Sequence, residues 1–177
     1  MDGLAKCCRK NENKDRMRLG IIGCLNYWSC LIVEINDFAA RVQEERIKRP
    51  GIFGLDADCR ASVEDIGMIE AYYGVQLPLS YKEFLMQFGG GYFAFVVVYS
   101  LDANSDFYLK KNVDPEFTKA NNFLPVVDFE TGDLAGFRIV NGVCEEQMSI
   151  FNHDEEGITD LGQDFFEVLV EYGLDLA

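Results

Sequence analysis

The sequence predicts an α+β domain, an antiparallel sheet of four to six strands packed by N-terminal helices and a C-terminal helix. Three observations carry that prediction. Apolar residues recur at helical spacing over residues 35–88, and β-branched and aromatic runs with extended patterning replace them after Gly89-Gly90-Gly91. Between two of those runs stands Asn141-Gly142, the preferred two-residue hairpin connection because both residues accept positive φ. Helices first, strands next and a helix to finish segregate the two kinds of element as α+β folds do.

Residues 1–18 are polar, with six basic and three acidic side chains and no apolar period. Residues 19–33 form an apolar run interrupted by Asn26 and Ser29. The run falls short of the roughly 20 residues that span a bilayer. Its leading segment is long and mixed in charge, and no small-residue cleavage site follows, which argues against a signal peptide. Ile21-Ile22-Gly23-Cys24 looks like a lipoprotein processing box, but too short an apolar stretch precedes it. The expected organisation is a flexible arm over 1–31, with Met17 as a second candidate start, and a domain over 32–177. Ile35, Phe38, Ala39 and Val42 mark a first helix starting near Val33 or Asn36 and ending before Pro50.

Ser62, with Asp65 three residues on, gives the start signal of the next helix, and Gly74 its stop. Pro78 breaks the pattern, and Ser80 with Glu83 reads as a capping box for a helix whose stripe is Tyr81, Phe84, Leu85 and Phe88. Gly89, Gly90 and Gly91 turn the chain into residues 93–99, read as one central strand. A phosphate cradle would need the opposite order, strand before glycines before helix. Residues 102–106 read as a turn, 107–109 as a short strand, and 113–122 as a loop with one helical turn. A strand over 123–129 carries Pro125, which places it at an edge or a bulge. Gly132 lies in a turn, the Asn141-Gly142 hairpin follows, and 153–157 is an acidic turn. Phe165, Phe166, Val168, Leu169 and Tyr172 mark the closing helix.

The net charge of −14 is unevenly placed: residues 51–177 hold six Lys/Arg against 23 Asp/Glu. Such a body disfavours nucleic acid and anionic membranes, which select clustered Lys and Arg. It suits a basic partner or, equally, a solubility surface. Six cysteines without a C-x-x-C pair and a single histidine, His153, support neither a zinc site nor a disulfide framework, and point to a cytoplasmic chain. His153 beside Asp154 lacks the further groups that a catalytic constellation requires. No catalytic, metal or cofactor residues are expected.

Ile69-Glu70, then Gly74, Leu77, Pro78, Tyr81 and Phe84, then a glycine pair opening a strand, resemble the SUKH superfamily of Smi/Knr-type domains. Leu124-Pro125, Gly132-Asp133, His153-Asp154 and Phe165 with Val168-Leu169 continue the resemblance over residues 32–174. It implies a non-enzymatic α+β domain whose motif residues are architectural. Bacterial members imply an immunity protein that binds a toxin domain, often a nuclease. Fungal members imply the alternative, a regulatory scaffold of cell-wall synthesis and signalling. For a basic toxin the candidate contacts are Asp102, Asp106, Asp128, Glu130, Asp133, Glu145, Asp154 and Glu155. Tyr99, Phe107 and Tyr108 are candidate aromatic anchors or, alternatively, core residues.

Overall fold

The computed structural model describes residues 24–155 and 157–175, with side chains from residue 35 onward. Helix α1 (Cys24–Lys48) begins well before the expected start, so residues 24–33 of the apolar run are helical and continuous with the domain. Residues 1–23 of the expected arm lie outside the described residues. Ile35, Phe38 and Val42 form the buried stripe of α1. A short 3-10 turn, Pro50–Phe53, follows.

Helix α2 (Val63–Tyr73) has the capping box that its sequence specifies. The Asp65 amide donates to Ser62 Oγ at 3.2 Å, and the Ser62 amide donates to Asp65 Oδ2 at 2.9 Å. Gly74 closes it with φ of +67°. Helix α3 (Leu79–Phe88) corrects the expected cap at Ser80. The residue before this helix is Pro78, extended at φ −61° and ψ 150°, so Leu79 is already helical and Ser80 lies inside the first turn. The Ser80 hydroxyl instead lies 3.4 Å from Glu146 Oε2. Glu70 ties the two helices together, since its Oε1 accepts from the Leu77 amide at 2.9 Å and from Lys82 Nζ at 3.1 Å.

The glycine corner is a place of close backbone approach. A Cβ on Gly90 would stand 2.4 Å from the Ser100 Cβ, and one on Gly89 2.2 Å from the Asp58 carbonyl oxygen. The corner opens not one central strand but two short ones, β1 (Gly91–Phe93) and β2 (Val96–Val98). The reversal between them rests on Ala94 at φ +50°. An uninterrupted apolar run carries no turn-forming residue to announce it. The Phe95 amide, in that turn, donates to the Gly173 carbonyl at 3.3 Å.

Beyond β2, the short strand expected over 107–109 is not formed: Phe107 lies in a turn, Tyr108 makes only an isolated bridge to Ser100, and Leu109 begins helix α4 (Leu109–Asn112). Helix α5 (Pro115–Asn121) replaces most of the expected loop: Asp114 caps it by accepting from the Glu116 amide at 2.9 Å, and Pro115 takes the first helical position. Strands β3 (Phe123–Asp128), β4 (Leu134–Val140) and β5 (Val143–Asn152) follow. Pro125 sits at a register shift inside the sheet, the bulge alternative and not the edge. Asn141 and Gly142 connect β4 to β5 with φ of +52° and +78°. Strand β6 (Gly157–Asp164) brings the sheet to six strands, within the expected four to six, from a stretch whose sequence does not read as extended. Helix α6 (Phe165–Val168), capped by Asp164 and Glu167, runs into a π-type segment, Leu169–Leu174.

The strands pair antiparallel in chain order, β1 to β6. One row crosses all six: Tyr92, Val97, Asp128, Leu134, Phe151 and Ile158. Phe117 of α5 packs edge-on against Phe151, which puts α5 on that face of the sheet. Phe93, one residue over, points to the other face, where Phe38, Phe84 and Phe88 surround it. Both faces are therefore covered. No helix among the described residues is long and apolar enough to cross a membrane.

Tyr81, fully buried beneath this packing, donates from its hydroxyl to the Tyr99 carbonyl at 2.6 Å. Tyr81→Phe removes that donor and is expected to cost about 1–2 kcal/mol, the usual cost of stranding a buried acceptor. Urea unfolding checks it: the midpoint falls while the slope with denaturant stays unchanged.

Candidate functional site

After Arg138 the chain contains no Lys or Arg, while residues 139–177 hold ten Asp and Glu. Strands β5 and β6 carry part of this stretch at one end of the strand order, while the C-terminal helical segment passes back over the sheet to the β1–β2 turn, where the Gly173 carbonyl meets the Phe95 amide. Strand β6 forms one edge of the sheet. Its last residues, Gln163 and Asp164, enter a cleft of about 630 Å³ that Asp37, Phe38, Phe166, Glu167, Val170, Glu171 and Asp175 complete. Five carboxylates thus rim a floor of two nearly buried phenylalanines and a valine. Their mutual repulsion makes the cleft most favourable when a cation or a cationic partner approaches.

Charge pairs hold the cleft's two walls together. Arg41 of α1 bonds Asp175 Oδ1 at 2.9 Å. Arg49 donates to Glu45 Oε2 at 2.8 Å and also to the Leu174 carbonyl. Glu45 is therefore the hub: its side chain is 5% exposed and also lies 3.5 Å from both Arg41 and Lys48. The hydrogen bond from Arg49 holds its carboxyl below the usual carboxylate range, and the nearby positive charges add to this.

At the other end of β6, the β3–β4 and β5–β6 turns lie side by side. The His153 amide donates to Asp133 Oδ1 at 2.9 Å, which joins them. Asp128, Glu130, Asp133, Asp154 and Glu155 are thereby brought to one end of the sheet, although they come from two separate turns. Glu130, Asp154 and Glu155 are exposed. Asp128 instead serves its own turn, accepting from the Glu130 amide at 2.7 Å. Glu145 is exposed on β5 near the opposite, hairpin end.

The remaining candidates lie elsewhere. Asp102 shapes the loop after β2: its Oδ1 accepts from the Asn104 amide at 2.9 Å. That bond, with the Cys59 thiol, holds its carboxyl below the usual range. Asp106 is exposed in the same loop. Tyr108 is half-buried there, beside Met68 and Leu101. Phe107 packs edge-on to Tyr92, whose hydroxyl is 3.4 Å from Glu130, so this ring stands near the acidic turns. Tyr99 is buried, its hydroxyl 3.4 Å from Asp128 Oδ2, and burial pushes its phenol well up. It belongs to the core, the reading its apolar run also allowed.

Asp37, Asp160, Asp164, Glu167, Glu171 and Asp175 were not singled out from sequence. For all but Asp37 the signal was present in the absence of any basic residue after Arg138, which a count over the whole acidic body dilutes. Among the described residues, no group of three or more His, Cys, Asp or Glu is placed to hold a metal ion. The arrangement groups carboxylates in two places, the cleft and the paired turns.

The profile of the family described as SUKH_6: SMI1-KNR4 cell-wall matches residues 63–169, from the start of α2 into the C-terminal segment. No curated protein matches the chain.

The hub at Glu45 predicts a pH dependence. Because its folded pKa is depressed, its contribution to stability is complete above the ordinary value of 4.5 and is lost as pH falls through the lower folded value. Thermal unfolding followed below pH 4.5 is expected to fall less steeply for Glu45→Gln than for the parent protein, with Glu45→Gln the less stable at neutral pH.

Proposed function

The chain belongs to the SUKH, or SMI1-KNR4, family, and on that premise we propose that it is an immunity protein. It binds a basic toxin domain, such as a nuclease domain, and neutralises it by covering the surface the toxin uses on its own anionic substrate. The observation that carries this reading is the stretch 139–177, which holds ten carboxylates and no Lys or Arg and lines both the cleft and one of the two paired acidic turns. An acidic surface steers a basic partner to itself and suppresses acidic competitors. The cleft between α1 and the C-terminal segment, and the paired acidic turns, supply relief that a basic partner can grip. Catalysis has no place in this function, and the family's motif residues serve the fold: Glu70 and Tyr81 both end in hydrogen bonds to the protein's own backbone.

Mild affinity purification of the tagged full-length chain from its native cells, with mass spectrometry, tests the proposal. A stoichiometric partner carrying a basic C-terminal domain supports it. A spread of substoichiometric wall or signalling enzymes contradicts it and supports the scaffold role.

The charge argument adds a quantitative expectation for that partner. Reversing Glu130, Asp154 and Glu155 together to Lys is expected to weaken binding by about tenfold or more, chiefly through a slower association rate, and to flatten its dependence on salt. Stopped-flow association across a salt series measures both. These three side chains are exposed, so thermal stability should hold.

A further inference from the structure

The two edges of this sheet are unlike. The β1 edge is three residues long, and it is flanked by the Ala57–Gly91 bridge and the Ser100–Tyr108 bridge. The β6 edge runs eight residues, and the sheet ends there among the described residues. A long edge strand presents alternate N–H and C=O groups outward, ready to pair with another extended chain. Proteins usually protect such an edge with lysine, proline or a covering element. Strand β6 has neither lysine nor proline in its sequence, Gly-Ile-Thr-Asp-Leu-Gly-Gln-Asp.

We propose that β6 is the docking element for the toxin, taking an extended Lys/Arg-bearing segment of it as a seventh strand. This rests on the immunity reading above and names the element and the mode of binding. Charge selects the occupant. Asp154 and Glu155 precede the strand, Asp160 stands 77% exposed in its middle, and Asp164 ends it at the acidic cleft. A segment laid along β6 meets exposed carboxylates at its start and middle, Asp160 being paired with Arg138 at 3.5 Å and Ser149 at 2.9 Å, and the α6-capping Asp164 at its end. Strand β6 itself carries Asp160 and Asp164 and no basic residue, with Arg138 of β4 the one cation among the described residues shown to reach it, so self-pairing of two copies sets like charges against each other. The bulge that Gly162 forms at φ +70° also breaks the regular ladder, which limits uncontrolled pairing while leaving the first half of the strand regular. Main-chain bonds supply affinity in this mode, and the side chains of the added strand supply selectivity.

The test uses the full-length protein and a synthetic peptide alternating lysine and valine, as long as β6. Two further versions carry N-methyl groups on every second amide, in one phase or the other. Amide hydrogen exchange is read residue by residue. At about ten times the dissociation constant, the outward amides of residues 157–164 are expected to exchange about tenfold more slowly. One methylated phase should abolish that protection and the other retain it, since alternate amides of an added strand face β6. Equal protection by both methylated phases overturns strand addition. Protection confined to the acidic turns or to the cleft, with β6 amides unchanged, also overturns it while leaving the acidic-surface reading intact. Absence of protection anywhere overturns both.

Discussion

Five phenylalanines from four separate parts of the chain meet at one point above the sheet. Phe38 of α1 lies 4.8 Å from Phe166 and 5.7 Å from Phe93, ring centre to ring centre, and Phe84 of α3 touches both Phe93 and Phe165. Each ring removes a large apolar area from water, and edge-to-face pairs add about 0.5–1.5 kcal/mol beyond that area. The cluster does more than stabilise the core. It brings the first described helix and the last segment of the chain together over the middle of the sheet, and their facing acidic sides become the walls of the cleft. The cleft is thus a by-product of how the core closes, and it needs no dedicated insertion.

That coupling explains why the ion pairs at α1 are worth having. Packing like-charged walls side by side raises the electrostatic energy of the cleft. Arg41 and Arg49 offset it where the walls join, through Asp175, Glu45 and the Leu174 carbonyl, while Asp164 and Glu167 cap α6 and Asp37 lines the groove. Positive charge is placed where it holds the fold and kept away from the sheet edge, apart from Arg138, which reaches across to the Ile158 carbonyl and to Asp160.

Local chemistry made much of this legible in advance. Ser62 with Asp65, Gly74, the glycine corner and Asn141-Gly142 all fold as their residues dictate, because each depends on neighbours within a few positions. What escaped reading depended on tertiary context. The Ala94 turn is held by the Gly173 carbonyl, from the far end of the chain. Strand β6 has two glycines and no clean alternation, so its extended form comes from pairing with β5. Ser80 is displaced from its capping role by the proline two residues before it. For the site, the turns at Asp133 and Asp154 were each visible as acidic, but nothing local announced that they touch. The cleft's carboxylates were hidden for the same reason, since Asp37 and Asp175 lie far apart in sequence.

On the proposed reading, this chain protects a cell by occupying a basic toxin domain. Co-expression tests it: the basic C-terminal domain of the captured partner is induced in a host cell with and without the full-length chain. The domain is expected to stop growth when induced by itself, and growth is expected to return with this chain but not with the variant carrying Lys at 130, 154 and 155. A domain that is harmless by itself, or one whose toxicity this chain leaves unchanged, contradicts it.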